Sequence, residues 1–343
     1  MPGKQDIQLI AETAWHHQGD FDFMKELVTK LSQSACADII KMHITLDFDE
    51  YMSNSHPLYE TLKGMTFDEG QWNELVQVVR THDKKLMSLV NDARAAELAV
   101  QAHAELMEVH AVCLNDLDLL DAVKQNIDNQ TDLVLGVGGS SMYEIDHAIN
   151  YLQHDRVVLM FGFQSYPTNY ADINFNKIRR IMSMYPEFRF GYADHTAWDH
   201  TDNQLVSLLG TALGMDYLEK HVTTHYGEDR IDWQAAISVE QCKELHAKLQ
   251  ILKQCQGDGA LEMSEPEKAY GHYGPMKKAA MLVRNVKQGD RFKRSDIAFK
   301  RCGTETDLSQ IEVFELLSRD FVYQRELAPG DVIGKGDLER VEQ

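Results

Sequence analysis

No stretch of this 343-residue chain is long and apolar enough to span a bilayer, which takes about 20 consecutive residues of low polarity. The first residues, Met-Pro-Gly-Lys-Gln-Asp-Ile, also lack the apolar segment of a secretory signal. Cysteine is scarce and shows no pairing pattern. The five cysteines, Cys36, Cys113, Cys242, Cys255 and Cys302, are odd in number and include no CxxC. Such usage fits reduced thiols in a cytosolic protein rather than a disulfide framework. Basic residues are in deficit, with 34 Lys and Arg against 54 Asp and Glu and a net charge of −20. That balance excludes a general binder of nucleic acid or of anionic membrane, both of which need a basic face. A small anionic substrate is not excluded, because a few local cations suffice for one. The expectation is a cytoplasmic protein that enters no membrane and holds no nucleic acid.

What is present is an alternation. Short apolar runs, Leu9–Thr13, Ala37–His43, Lys85–Val90, Leu106–Val112, Leu133–Val137, Val157–Phe163, Arg189–Tyr192 and Tyr217–Val222, read as strands. Segments of helical period separate them, and Ser238–Cys255 closes the series as an eighth helix. Eight strand–helix units over roughly 250 residues have the pattern and size of a (β/α)8 TIM barrel. A doubly wound open sheet gives the same alternation, usually with fewer strands. The barrel is therefore expected over residues 1–258. Residues 259–276 are polar and turn-rich and read as a linker. From 277 to 343 short strands and turns take over. There Val286-Lys-Gln-Gly-Asp290 resembles Leu327-Ala-Pro-Gly-Asp331, as in a small β-rich module.

Two of the expected strands end on histidine, in Phe190-Gly-Tyr-Ala-Asp-His-Thr196 and Tyr217-Leu-Glu-Lys-His-Val-Thr223. Barrel enzymes do their chemistry at the carboxyl ends of strands. His195 and His221 would meet there, and two imidazoles with convergent partners can hold a divalent metal. The alternative is a pair of buried, hydrogen-bonded histidines. Glu108 and His110 are two residues apart on one strand and face one side of the sheet, as do Lys41 and His43. If that side is the interior, Glu108 and His110 are candidate further metal ligands. Alternatively, Glu108 forms an ion pair with Lys41. Glu12 closes the first strand, as a functional acid or as one half of a salt bridge. Asp194 is expected to support His195 from behind. Gly136-Val-Gly-Gly-Ser-Ser141 either cradles an anion at a helix N-terminus or is a turn capped by Ser141.

Several of these segments, in order along the chain, resemble the N-acetylneuraminate (sialic acid) synthase family. Ile10-Ala-Glu-Thr-Ala-Trp-His-His-Gln-Gly19 is similar to the family's opening I-A-E-x-G-x-N-H-x-G. Asp38-Ile-Ile-Lys41 falls where the family has V-V-K or A-V-K, and Ser165-Tyr-Pro-Thr-Asn-Tyr-Ala-Asp172 resembles its Y-P-T-P-Y-E-D. Tyr192-Ala-Asp-His-Thr196 and Glu219-Lys-His-Val-Thr223 resemble Y-S-D-H-T and E-K-H-F-T. The tail from Lys277, with Phe299-Lys-Arg-Cys-Gly303, resembles the antifreeze-like SAF domain that ends these synthases. The resemblance implies an enzyme that joins phosphoenolpyruvate to an N-acetylated hexosamine, forming a nine-carbon 2-keto acid. It implies a divalent metal, Mn2+ or Zn2+, at His195 and His221, with Glu12, Lys41 and Asp194 near the reacting groups. It places Tyr166, Gln164 and Asp232 among the substrate-binding residues, Asp232 on the sugar. It also implies a domain-swapped homodimer in which Arg301 reaches the partner's sugar site.

The departures from the family fall on the grip for phosphoenolpyruvate. Of its lysine on strand two, threonine on strand three, lysine and serine on strand four and serine on strand five, only the first remains, as Lys41. The others fall at Val90, Glu108, Ala111 and Gly136. Gln164 and Ala193 stand where the family has Asn and Ser, and Cys113 where it has an acidic residue. A carboxylate in place of a phosphate-binding lysine is repulsive toward the phosphate. Three functions therefore compete. The first is synthase-like condensation of a three-carbon enolpyruvate or 2-keto acid donor with the amino sugar. The second is a metal-dependent aldolase, lyase or isomerase that does not use phosphoenolpyruvate. The third is a non-catalytic relative that binds a sugar.

Overall fold

The apolar runs become eight parallel strands: β1 Gln8–Glu12, β2 Ile39–Ile44, β3 Lys85–Val90, β4 Leu106–Val109, β5 Asp132–Gly136, β6 Val157–Gly162, β7 Arg189–Asp194 and β8 Tyr217–Thr223. In this computed structural model, which describes residues 7–162 and 165–341, each strand pairs with the next and β8 pairs back with β1. The sheet thus closes into a barrel and leaves no edge in the ring. Strands covered on both faces must be apolar on both faces, so they appear in the sequence as continuous runs. Inward residues such as Ile10, Ile39, Leu106, Val134, Val158 and Tyr217 fill the barrel. Outward ones such as Leu9 and Ile40 pack with Leu27, Leu31 and Trp72 of the surrounding helices. At the amino-terminal end, Asp132 accepts hydrogen bonds from Arg156 Nε at 2.7 Å and Tyr217 Oη at 2.8 Å and pairs with Arg189.

Helices begin where the sequence supplies a cap. Asp20, Asp68, Asp92, Asp116, Ser141 and Ser238 each accept a backbone N–H of the first turn. The glycine-rich run after β5 is a capped turn: Ser141 accepts from Glu144 N while Glu144 Oε2 accepts from Ser141 N at 2.7 Å. A carboxylate of the chain itself therefore sits at that helix start. β4 ends sooner than expected. Ala111–Cys113 forms a 3-10 turn, with Val112 64% exposed rather than packed in a strand. Short helices at Phe48–Tyr51 and Tyr59–Lys63 and a two-residue strand at Ile237–Ser238 are further additions to the expected plan. The expected end of strand six at Phe163 lies outside the described residues. No helix among the described residues is long and apolar enough to cross a membrane.

The chain divides into two units, Met1–Asp258 and Gly259–Gln343. In the second, Ser264 caps a short helix, Glu265–Ala269, within the stretch expected as a linker. Two antiparallel strand pairs follow, Ala279–Leu282 with Ile297–Lys300 and Phe321–Tyr323 with Leu338–Arg340. The two similar turns belong to a repeated structural unit. Arg284 Nε donates to Asp296 Oδ1, and Arg325 Nε to Asp337 Oδ1, both at 2.7 Å. Asp290 Oδ2 accepts Lys287 N–H as Asp331 Oδ2 accepts Ala328 N–H. Between the copies Val286 and Leu327 pair in an isolated bridge and are buried.

Candidate active site at the barrel mouth

Parallel strands aim every second residue inward. Near the carboxyl ends of these strands the inward residues are ionisable: Glu12 on β1, Lys41 and His43 on β2, Glu108 on β4, and Glu219 and His221 on β8. Register sets Glu12 beside Lys41 on one side and beside His221 on the other. Lys41 Nζ lies 2.8 Å from Glu12 Oε2, 2.5 Å from Glu108 Oε2 and 3.0 Å from Glu219 Oε2. An ammonium has three N–H donors, and here three carboxylates surround it, every partner being at least 96% buried. Gly136 makes room for this cluster, since a Cβ there would lie 3.3 Å from Glu108 Oε1 and 2.8 Å from Ala111 N. Of the two readings left open for Glu108, the ion pair with Lys41 is the one observed.

These neighbours set the protonation states. Burial works against the Lys41 ammonium, yet the charges of Glu108, Glu12 and Glu219 hold its pKa well above the ordinary value. Burial pushes Glu12 up, but Lys41 and His43 outweigh it and hold the carboxyl well below its usual range. Glu219 goes the other way, to about 8, because burial and the charges of Glu108 and Glu12 exceed the pull of Lys41. Burial also raises Glu108 against the pull of Lys41. His43 Nε2 lies 3.3 Å from Glu12 Oε1, and this contact raises its pKa despite burial.

His195 and His221 meet as expected, with ring centroids 4.9 Å apart and planes at 84°. Burial lowers His195 to about 4 and holds His221 well below the ordinary imidazole value. Both are neutral at physiological pH, as a metal-ligating imidazole must be. His195 Nδ1 lies 3.1 Å from the Ala193 carbonyl, which sets Nε2 as the lone-pair nitrogen. His221 Nδ1 is buried without a hydrogen-bond partner among the described residues. A divalent metal fits these two donors. Among the described residues no group of three His, Cys, Asp or Glu is arranged to hold one, so further ligands would come from substrate or water.

The remaining expected residues divide. Tyr166 stacks at an angle against both histidines, its ring 5.7 Å from His195 and 6.1 Å from His221, and donates to the Asp232 carbonyl at 2.5 Å. Asp232 lines the same cavity in a left-handed backbone conformation, φ 64°, with Oδ2 accepting the Trp15 N–H at 3.2 Å. His110 lines it too, with Nδ1 accepting the Val112 N–H at 3.3 Å. Asp194 is a correction. Ala193 and His195 line the cavity, so the residue between them faces outward, and its carboxylate binds Lys220 Nζ at 2.9 Å, Ser207 Oγ at 2.5 Å and Thr196. It stands behind the wall and fixes the end of β7 rather than reaching the reacting groups. Arg301 lies in the second unit, where Nε and Nη2 donate to the Pro275 carbonyl at 2.9 and 2.6 Å. Gln164 lies outside the described residues.

The cavity has a volume of about 190 Å³. Sequence reasoning gave no role to Glu219 or His43. The signal for the first was available: Glu219 precedes His221 by two, the same spacing that flagged Glu108 and Lys41.

A closed eight-stranded parallel barrel with ionisable side chains gathered at the carboxyl ends of its strands is the architecture of barrel enzymes. The sequence pattern of the NeuB family matches residues 26–260, and the chain belongs to that family. The N,N'-diacetyllegionaminic acid synthase of Legionella pneumophila is 23% identical over 325 residues, 88% of this chain and 87% of the relative. The spore coat polysaccharide biosynthesis protein E of Chromobacterium violaceum superposes with a TM-score of 0.79 at 18% identity, covering 97% of this chain and 99% of the other. The N-acetylneuraminic acid synthetase of Leptospira borgpetersenii gives 0.69 at 22% identity, covering 78% and 90%. At such identities the two structures speak to the fold. Family and relatives together define a sialic acid synthase-like protein.

Proposed function

We propose that this barrel makes or breaks the carbon–carbon bond between a three-carbon 2-keto acid and the carbonyl of an N-acetylated amino sugar, and that its donor is not phosphoenolpyruvate. One observation carries the reading: Lys41, the single Lys or Arg among the described residues lining the cavity, is enclosed by Glu12, Glu108 and Glu219. A phosphate brought to it would also meet Glu108, and two like charges about 4 Å apart cost roughly 4 kcal/mol at an effective dielectric near 20. The same contacts argue against an imine mechanism. A lysine whose pKa is held well above normal stays an ammonium and has no lone pair with which to attack a ketone.

His195 and His221 would hold a divalent metal, Mn2+ or Zn2+, whose chemistry is to polarise carbonyl oxygens as a Lewis acid. Tyr166 and Asp232 face the same cavity from the loops after β6 and β8 and would bind and orient the sugar. Lys41 and its carboxylates would form a rigid floor of fixed charge rather than a substrate grip. The second unit is read as an SAF domain of a domain-swapped homodimer, with Arg301 offered to the partner's site.

The test is a paired incubation with N-acetylmannosamine and Mn2+, using phosphoenolpyruvate in one arm and pyruvate in the other. Expected are no phosphate release in the first, and 2-keto acid product or exchange of the pyruvate methyl protons in the second. Phosphate release coupled to product in the first arm would overturn the choice of donor. Inertness in both arms, with no stabilisation by Mn2+, would favour a non-catalytic sugar binder.

A further inference from the structure

A bond-forming site of this kind needs a group that moves a proton, and most ionisable side chains here are already committed. Lys41 is enclosed by carboxylates, Glu12 Oε2 and Glu219 Oε2 are turned to it, and Glu108 is bound beside it. Tyr166 donates its hydroxyl proton to the Asp232 carbonyl. His195 and His221 form the metal pair of the proposed function.

His43 differs from these in its setting. It stands two residues beyond Lys41, nearer the opening, and its side chain is 16% exposed where the charged cluster below is at 1–4%. It lines the cavity beside Tyr51 and Asn91. Its Nε2 faces Glu12 Oε1 at 3.3 Å, and that oxygen is itself fixed, 2.9 Å from the Ala14 N–H it accepts. Glu12 Oε2 is anchored on Lys41. The carboxylate thus has one orientation and can accept a single imidazole N–H. That contact selects the tautomer of His43 with the proton on Nε2 and the lone pair on Nδ1. A carboxylate behind an imidazole also stabilises the imidazolium that forms when the ring takes up a proton, the relation that makes a histidine an effective base. His110, another imidazole of the mouth, has its ring 6.3 Å from that of His43, and its Nδ1 accepts the Val112 backbone N–H.

We infer that His43 is the proton-transfer residue of this site, with Glu12 as its positioning residue. The inference rests on the reaction proposed above, and it balances. His43 Nδ1 takes a proton from the methyl carbon of the 2-keto acid, leaving an enolate. That carbon adds to the sugar carbonyl carbon, one C–C bond forms, and the carbonyl π electrons move to oxygen. The new alkoxide takes the proton back from His43. Nothing is oxidised or reduced, and the imidazole returns to its starting state.

The experiment measures exchange of the pyruvate methyl protons in D2O by NMR with the Mn2+-loaded full chain. The wild type exchanges, His43→Gln exchanges at least about 100-fold more slowly, as loss of a general base predicts, and His43→Ala recovers on addition of imidazole. Glu12→Gln lowers the rate constant while leaving the KM for pyruvate near that of the wild type. The His43 variants keep the circular dichroism spectrum and the Mn2+-dependent melting shift of the parent, so a lost rate is not lost folding. If His43→Gln keeps a rate within threefold of an active wild type, or if His110→Gln alone abolishes exchange, the assignment of His43 is overturned and the reaction stands. An inert wild type overturns both.

Discussion

Lys41 is the residue on which the site turns. Removing its charge as Lys41→Met would leave Glu12, Glu108 and Glu219 buried without a counter-ion, a change of the kind that costs about 3–5 kcal/mol. The expected result is a clear loss of stability in urea unfolding at pH 7. The loss should shrink as the pH falls and the orphaned carboxylates take up protons. A cost that is the same at pH 5 and pH 8 would count against the arrangement. Glu108→Gln tests the opposite change. It keeps the shape, frees part of the Lys41 ammonium and removes one negative charge, so affinity for phosphoenolpyruvate in calorimetry should rise tenfold or more. The pairing of Lys41 with Glu108 was one of two readings open along the chain, whereas its pairing with Glu219 was not. Lys41 and Glu219 are brought together by closure of the barrel, across a sequence separation of 178.

At the scale of elements, the strands were the most legible part of the chain. Covered on both faces, they had to be runs such as Lys85–Val90, whose limits match the observed β3. Helix starts were visible where a serine or aspartate precedes an apolar period, as at Ser141. The end of β4 was less visible, because Ala111–Cys113 is apolar in sequence yet turns outward in space. Asp194 follows from alternation: next to an inward His195 it faces outward, behind the wall, where it binds Lys220, Ser207 and Thr196 and not the reacting groups. Strand ends carry a further prediction. Asp132 ties the entry of β5 to Arg189 on β7 and Tyr217 on β8. Burial pushes its carboxyl up, but the hydrogen bond and charge of Arg189 win and hold it below the ordinary 3.8. A group with a depressed folded pKa stabilises above its unfolded value and loses that effect as the pH falls through the folded one. Asp132→Asn should therefore lower thermal stability at pH 7, by about 1.5–3 kcal/mol for a charged hydrogen-bonded partner. The difference from the wild type should close toward pH 3.

At the scale of the molecule, a metal held by folded His195 and His221 would act on the whole folding equilibrium. A ligand at about 100 times its Kd adds roughly 2.7 kcal/mol to the stability of the folded state. Titration with Mn2+ should raise the melting temperature of the full chain, and His221→Ala should abolish the rise. A rise unchanged in His221→Ala would move the metal elsewhere. The enclosure of Lys41 has one more consequence. The carboxylate beside it is not a solute that diffuses in and out but part of the same chain, held at the effective concentration of a tethered ligand. A free anion must outcompete an occupant that cannot be washed away, diluted or depleted by metabolism. On the proposed function, the barrel would carry its own permanent inhibitor of phosphoenolpyruvate binding, and its choice of substrate would be enforced by occupancy rather than by shape.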